Sequence, residues 1–204
     1  MKISIFALVL ALPIFAADPP NKQPTKTAPK AEAPAKPLTW TQEPDSFMGI
    51  AFNSSKAEAT SLLSSRNEKF SGCISLLGAV VGVACEGVSL KLGSSSIAVT
   101  FEFMEDKFAQ VISSFPSSDF ETVQDVFVQR YGIPQVSTDD TVQTAGGSKY
   151  QNHTLEWHGK TLNIILEKYV SKVTEGGFVM TLHSLSEAES KAKEDAKKKA
   201  ADKL

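Results

Sequence analysis

The stretch Phe115-Pro-Ser-Ser-Asp-Phe-Glu-Thr-Val-Gln-Asp-Val-Phe-Val-Gln-Arg-Tyr-Gly-Ile-Pro134 decides the fold, because it marks both ends of a helix. Ser118 and Glu121 have the spacing of a capping box, in which each side chain accepts a hydrogen bond from the other residue's backbone amide. Gly132 and Pro134 are typical of a helix end. The apolar residues between these signals recur at helical spacing, and they are Phe120, Val123, Val126, Phe127 and Tyr131. The stretch therefore predicts a helix with one apolar face packed on other structure.

The same pattern occurs earlier in the chain. Phe52-Asn-Ser-Ser-Lys-Ala-Glu58 shares with Phe115–Glu121 the form Phe-x-Ser-Ser-x-x-Glu. In both places an apolar stretch ends and a capping box opens a helix. The sequence therefore predicts an α+β fold in which two helices pack on one continuous antiparallel sheet, arranged as a tandem strand-helix-meander repeat.

The strands are predicted from alternation of apolar and polar residues. Residues 97–103 alternate in this way, and a polar turn at residues 105–107 leads to a partner strand over Phe108–Phe115, which predicts a hairpin. A later meander is predicted from three strands, over Tyr150–Trp157, Thr161–Tyr169 and Phe178–Leu185. Residues 135–149 contain Ser, Thr, Asp and a glycine pair, and predict a long loop.

Composition divides the chain into four segments. Residues 1–17 have one lysine, an apolar run and then small residues, which is the layout of a signal peptide for export to the periplasm or medium. Residues 18–38 are rich in Pro, Lys, Ala and Thr and predict a disordered linker. Residues 39–185 form the predicted α+β domain, and residues 186–204, rich in Glu, Lys and Ala, form a charged helical tail.

The charge of the domain excludes one class of partner. Residues 39–185 hold sixteen acidic and ten basic side chains, a net charge of −6. Affinity for nucleic acid depends largely on Lys and Arg that neutralise phosphates. We therefore expect no nucleic-acid partner, while the sequence leaves the oligomeric state open.

Cys73 and Cys85 are the only cysteines of the chain. In an exported protein they predict a disulfide, which stabilises a short loop by about 3 kcal/mol. The residues between them are almost all apolar, and two interpretations remain open. One is a pair of short buried strands that turn at glycine; the other is an exposed loop that docks onto a partner protein or a membrane surface. The contact residues in the second interpretation are Leu76, Leu77, Val80 and Val81.

We find no pattern of residues that specifies a reaction. His153, His158 and His183 lack the spacing of metal ligands, and no serine lies in a Gly-x-Ser-x-Gly motif. We therefore expect no catalytic site, metal or cofactor. A hydrolase with an unrecognised site would have to bring His153, Asp139 and Ser148 together in one cleft.

Two non-catalytic functions remain. The first is a protein-binding module of the bacterial cell envelope, which binds through a sheet face or through the disulfide-closed loop. The alternative is a carrier of a small ligand or lipid, with an apolar cavity between helices and sheet. The side chains that would line this cavity are Phe101, Trp157, Tyr169 and Phe178.

Part of the chain resembles a known family. Phe47-Met-Gly-Ile-Ala-Phe52, a helix that opens at Ser55, and then Cys73 and Cys85 followed by strands, resemble the modules of β-lactamase inhibitor proteins and, more distantly, the small outer-membrane assembly lipoproteins of the SmpA/OmlA type. The resemblance implies a strand and helix packed on an antiparallel sheet whose open face binds another protein. This chain lacks the second cysteine pair of the inhibitors, so lactamase inhibition is not implied.

Overall fold

A computed structural model describes residues 40–76, 81–92 and 95–201. The predicted signal peptide and linker lie outside these residues. Two short strands, β1 (Ser46–Phe47) and β2 (Ile50–Ala51), pair with each other and lead into helix α1 (Lys56–Ser64).

Within the described residues, eight antiparallel strands form one sheet. The first four are β3 (Gly72–Leu76), β4 (Gly82–Leu92), β5 (Ser95–Met104) and β6 (Lys107–Pro116). Helix α2 (Phe120–Tyr131) follows. The remaining strands are β7 (Val136–Gln143), β8 (Lys149–His158), β9 (Leu162–Glu167) and β10 (Glu175–Leu182), and they are followed by helix α3 (His183–Ala201).

The strand order β3-β4-β5-β6-β10-β9-β8-β7 contains two halves of the same form. In each half a helix precedes a meander of four strands, α1 before β3 to β6 and α2 before β7 to β10. The last strands of the two meanders, β6 and β10, pair over seven register positions and join the halves. The predicted α+β fold is confirmed, and the tandem arrangement is visible in this strand order.

Both helices contribute to one hydrophobic core. Leu63 of α1 and Phe127 of α2 are buried in the same cluster, as are alternate residues of the central strands. The Phe127 ring lies 4.9 Å from the ring of Phe178 on β10. Phe47 lies 6.0 Å from both Phe101 on β5 and Phe178 on β10. Because these strands belong to different halves, the two halves share their core rather than forming separate ones.

The predicted hairpin is present as β5 and β6. Its turn residues, Glu105 and Asp106, have φ angles of 50° and 62°. Two consecutive positive φ values are the geometry of a type I′ turn, whose twist matches that of the strands it joins.

The capping box predicted at the start of α2 is wrong. A 3-10 turn over Ser117–Asp119 precedes the helix, and no side chain caps the first amides of α2. Asp119 instead accepts a hydrogen bond from the Ser95 hydroxyl at 2.8 Å. Glu121 accepts one from Lys168 at 3.0 Å, and this bond is the main reason why the pKa of Glu121 is lowered. The predicted end of the helix is correct, since Gly132 has a φ of 82°.

The long loop predicted over residues 135–149 is also wrong, because strand β7 occupies most of it. β7 pairs with β8 in a regular register from Val136↔Glu156 to Gln143↔Lys149. Its side chains are mostly exposed on both sides, so its sequence lacks the alternation by which a half-buried strand is recognised. The glycine pair forms only the hairpin turn, where Gly147 has a φ of 85°.

The predicted end of the last strand is corrected by three residues. β10 ends at Leu182 and helix α3 begins at His183, so the charged tail starts earlier than residue 186. Leu185 continued the apolar pattern of the strand, but in α3 it is buried at 3% exposure. The apolar pattern therefore led to the assignment of Leu185 to the strand, although Leu185 packs at the start of the helix.

The two predicted capping boxes provide a matched pair of mutations. At α1 the Ser55 side chain accepts from the Glu58 amide, and Glu58 accepts from the Ser55 amide at 2.7 Å. Ser55→Ala is expected to lower the free energy of unfolding by about 1 kcal/mol, the usual effect of losing a helix cap. Ser118→Ala, which removes no cap, should change it by less than about 0.5 kcal/mol. Equilibrium denaturation measures both, and equal effects of the two mutations would contradict the assignment.

Candidate interaction surface

The predicted disulfide is present between Cys73 and Cys85. The two residues lie directly opposite each other on β3 and β4, with their Cα atoms 4.1 Å apart. Cys85 is fully buried, whereas Cys73 is on the exposed edge strand. A disulfide of this kind indicates an oxidising, extracytoplasmic compartment.

The segment closed by the disulfide is only partly a pair of buried strands. β4 has several buried residues, but four of the five residues of β3 are exposed. Of the predicted contact residues, Leu76 is half-buried and Val81 is 72% exposed, while Leu77 and Val80 lie outside the described residues. Ile74, absent from the predicted contact set, is 67% exposed. Two aliphatic side chains of this hairpin therefore face solvent.

A groove of ≈510 Å³ lies between α3 and the end of the hairpin that β5 and β6 form. Its apolar wall on the helix consists of Leu185, Ala188 and Ala192. Val81 and Met104 line the opposite side. The start of α3 therefore lies near Val81 of the disulfide-closed segment.

The face of the sheet opposite the core carries a row of aliphatic side chains. Val179 on β10 lies opposite Ile112 on β6 and also opposite Ile165 on β9. Residues directly opposite each other in antiparallel strands point to the same face and are neighbours. Ile165 is 38% exposed and the other two are half-buried. We call Ile112, Val179 and Ile165 the open-face row.

The sequence interpretation did not include the open-face row, although a signal for it exists. Each of its residues interrupts the alternation of apolar and polar residues along its strand. Ile165 and Val179 have apolar neighbours on both sides, as in Ile164-Ile165-Leu166 and Phe178-Val179-Met180, and Ile112 follows Val111. Three consecutive apolar residues in a strand place apolar groups on both faces of the sheet. These residues become neighbours only because of the order of the strands in the sheet. The alternation of apolar and polar residues along a strand does not specify that order.

Carboxylates lie beside the open-face row. Glu156 on β8 is opposite Ile165, and Glu167 on β9 lies two residues further along from Ile165 on the same face. Burial raises the pKa of Glu167, and the negative charges of Asp140 and Glu156 raise it further. The His158 ring lies beside Glu156, with its Nε2 2.9 Å from the carboxylate. This part of the face is therefore acidic.

Two of the three residues considered for a hydrolase site come together. His153 Nδ1 lies 2.6 Å from Asp139 Oδ1 across the pairing of β7 and β8, and the His153 ring contacts Phe120 edge-on at 5.8 Å. Ser148 lies five residues before His153, which along a strand is about 17 Å. The structure therefore places Ser148 away from the pair, and the His153–Asp139 contact joins an edge strand to its neighbour.

The four residues considered for a ligand cavity do not surround one common space. Phe101, Trp157 and Phe178 are buried in the core. Phe127 packs between two of them, 6.1 Å from Trp157 and 4.9 Å from Phe178. Tyr169 lies apart, with its ring 6.1 Å from that of Tyr150. It lines a separate surface crevice of ≈390 Å³ next to residues 170–173.

Two further searches cover only the residues that the structure describes. In that part of the chain, no group of three or more His, Cys, Asp or Glu side chains is placed to hold a metal ion. No helix within the same residues is long and apolar enough to cross a membrane. Comparisons with protein-family models, with curated proteins and with solved structures found no match to this chain.

Replacing Glu167 tests the electrostatics of the acidic face. Because its pKa is raised above the ordinary value of 4.5, the carboxylate costs no stability below that pH, and it destabilises the fold as the pH rises through the raised pKa. Glu167→Gln is therefore expected to raise the melting temperature at pH 7, and the gain should disappear below about pH 4. Thermal unfolding across this range measures the difference.

Glu175→Gln is the control for this measurement. A hydrogen bond from Ser171 at 2.8 Å is the main reason why the pKa of Glu175 is lowered, so its ionised form is favoured by the fold. This control should not raise the melting temperature at neutral pH. If Glu167→Gln has no stabilising effect at pH 7, burial and the neighbouring carboxylates do not disfavour the ionised form of Glu167 as described.

Proposed function

We propose that this chain is an exported, non-catalytic protein-binding module of the bacterial cell envelope, periplasmic or secreted, and that it binds its partner through the open-face row. The observation that carries the proposal is the set of three aliphatic side chains on the sheet face away from the core, in direct cross-strand contact. Contiguous apolar groups at a surface are typical of interaction sites.

The surroundings of the row support a protein partner. Gln110 donates a hydrogen bond to Thr181 at 2.7 Å beside the row, and Glu156 and Glu167 lie on its other sides. An apolar centre with a polar, partly charged rim is the usual composition of a protein interface. The carboxylates favour a partner with Lys or Arg at matching positions, because complementary charge increases the association rate and the specificity.

A membrane surface fits this face less well. Anionic lipids have the same sign of charge as Glu156 and Glu167, so the acidic part of the sheet would be repelled by them. The carrier alternative is less well supported, because Phe47 and Phe127 pack against Phe101, Trp157 and Phe178 in the core. The resemblance to β-lactamase inhibitor modules is consistent with binding through an open sheet face, and it remains an expectation.

Site-specific photo-crosslinking in the native host tests the proposal. A photo-reactive residue is placed at Ile165, and the matched control position is Ile133, which is 80% exposed and lies between α2 and β7. We expect one discrete protein adduct from position 165 and none from position 133. The adduct should decrease at high salt, because screening weakens attraction between the acidic face and a basic partner.

A second substitution shows whether the adduct depends on the row. Val179→Lys places a positive charge next to position 165 and should reduce formation of the adduct more than tenfold, as loss of a central interface residue does. Thr122→Lys, on the exposed side of α2, should leave it unchanged. An adduct that survives Val179→Lys, or that forms equally from position 133, would overturn the proposal.

A further inference from the structure

The two edges of the sheet differ in their protection. β3 and β7 are the edge strands among the described residues. The unpaired backbone groups of an edge strand can pair with a strand of another molecule, and charged side chains are a common protection against this. β7 contains Asp139 and Asp140, whereas β3 has the uncharged sequence Gly-Cys-Ile-Ser-Leu. β3 is therefore the unprotected edge.

The position of the disulfide shows which backbone groups of β3 face outward. In antiparallel pairs, opposite residues that exchange no hydrogen bonds have Cα atoms about 4.5 Å apart, against about 5.5 Å for those that do. The Cα atoms of Cys73 and Cys85 are 4.1 Å apart, so these two residues form a pair that exchanges no hydrogen bonds. The amide and carbonyl of Cys73 therefore point away from β4, and so do those of Ser75, two residues on.

We propose that β3 pairs antiparallel with β3 of a second copy of this chain, about a two-fold axis at Ile74. In this register Cys73 of each copy lies opposite Ser75 of the other, and both residues already present their outward amide and carbonyl groups. Each such pair exchanges two hydrogen bonds. The two Ile74 residues then lie opposite each other as a pair that exchanges no hydrogen bonds, so their side chains are close together. Ile74 is 67% exposed in one molecule, and the dimer would bury part of this exposed surface.

Several features of β3 favour a second copy as the occupant. The strand has no charge, so two copies meet without opposing like charges, and the two-fold arrangement closes at a dimer. A contact of β3 with β7 of another copy would instead bring Asp139 and Asp140 to the interface and would continue without closure. The disulfide fixes β3 to β4, so little ordering of the strand is required on association.

This dimer concerns the edge of the sheet and does not depend on the open-face partner. The paired surface is small, so the association should be weak and reversible, with a dissociation constant on the order of 100 µM. Sedimentation velocity of the oxidised chain from about 10 µM to about 1 mM should show a reversible shift from monomer to dimer.

A charge exchange at the two-fold axis gives the sharpest test. Ile74→Lys and Ile74→Glu are each expected to be monomeric up to about 1 mM, because like charges would face each other. A mixture of the two in equal amounts should restore the dimer. Position 74 is exposed, so both variants should keep the fold, which circular dichroism and the intact disulfide verify.

A proline substitution tests the backbone pairing itself. Ser75→Pro removes an amide that points outward but none that bonds β4, so it should abolish the dimer while the fold is kept. Ser137→Lys on the opposite edge strand is the control and should leave the dimer unchanged.

The following results would contradict the proposed dimer. A wild-type chain that stays monomeric at about 1 mM would overturn the proposal. So would single charge variants that dimerise as strongly as the wild type, a mixture that fails to associate, or a dimer that survives Ser75→Pro. Loss of association in Ser137→Lys would show a contact through β7 and would also overturn it.

Discussion

The pairing of β6 with β10 is the constraint on which the rest of the structure depends. Its register places Phe178 opposite Ser113 on the core face and Val179 opposite Ile112 on the open face. Because side chains alternate between the two faces, a shift of one residue would move the whole core set of a strand to solvent. The same register therefore determines both the shared core and the open-face row.

Contacts beyond the sheet strengthen the union of the two halves. Glu43, which precedes β1, accepts hydrogen bonds from the amides of Lys160, Thr161 and Leu162 at 2.7–3.0 Å and from the Thr161 hydroxyl. Burial alone would raise its pKa, but these bonds outweigh burial and the pKa of Glu43 is lowered. Trp40 donates to the Tyr131 carbonyl at 2.6 Å. The segment before the first half is thus bound to the second half.

The features that the sequence predicted best are those that do not depend on the order of the strands in the sheet. The apolar spacing and the glycine stop of α2, the β5–β6 hairpin, and the disulfide could all be predicted, because each depends on residues close in sequence or on the only cysteine pair. β7 was missed because neither of its faces is buried. The cap at Ser118 was predicted from its spacing to Glu121, but the 3-10 turn shifts the helix start to Phe120. The open-face row depends on strand order, which long-range packing determines.

Native-state hydrogen exchange tests the central claim, that β6 and β10 join two halves into one cooperative sheet. The account predicts that amides in these two strands have the highest opening free energy, and that amides of β5 and β9 merge with them into a single unfolding unit as denaturant is raised. The contradicting result would be two separate units, in which one meander exchanges through an opening that leaves the other protected.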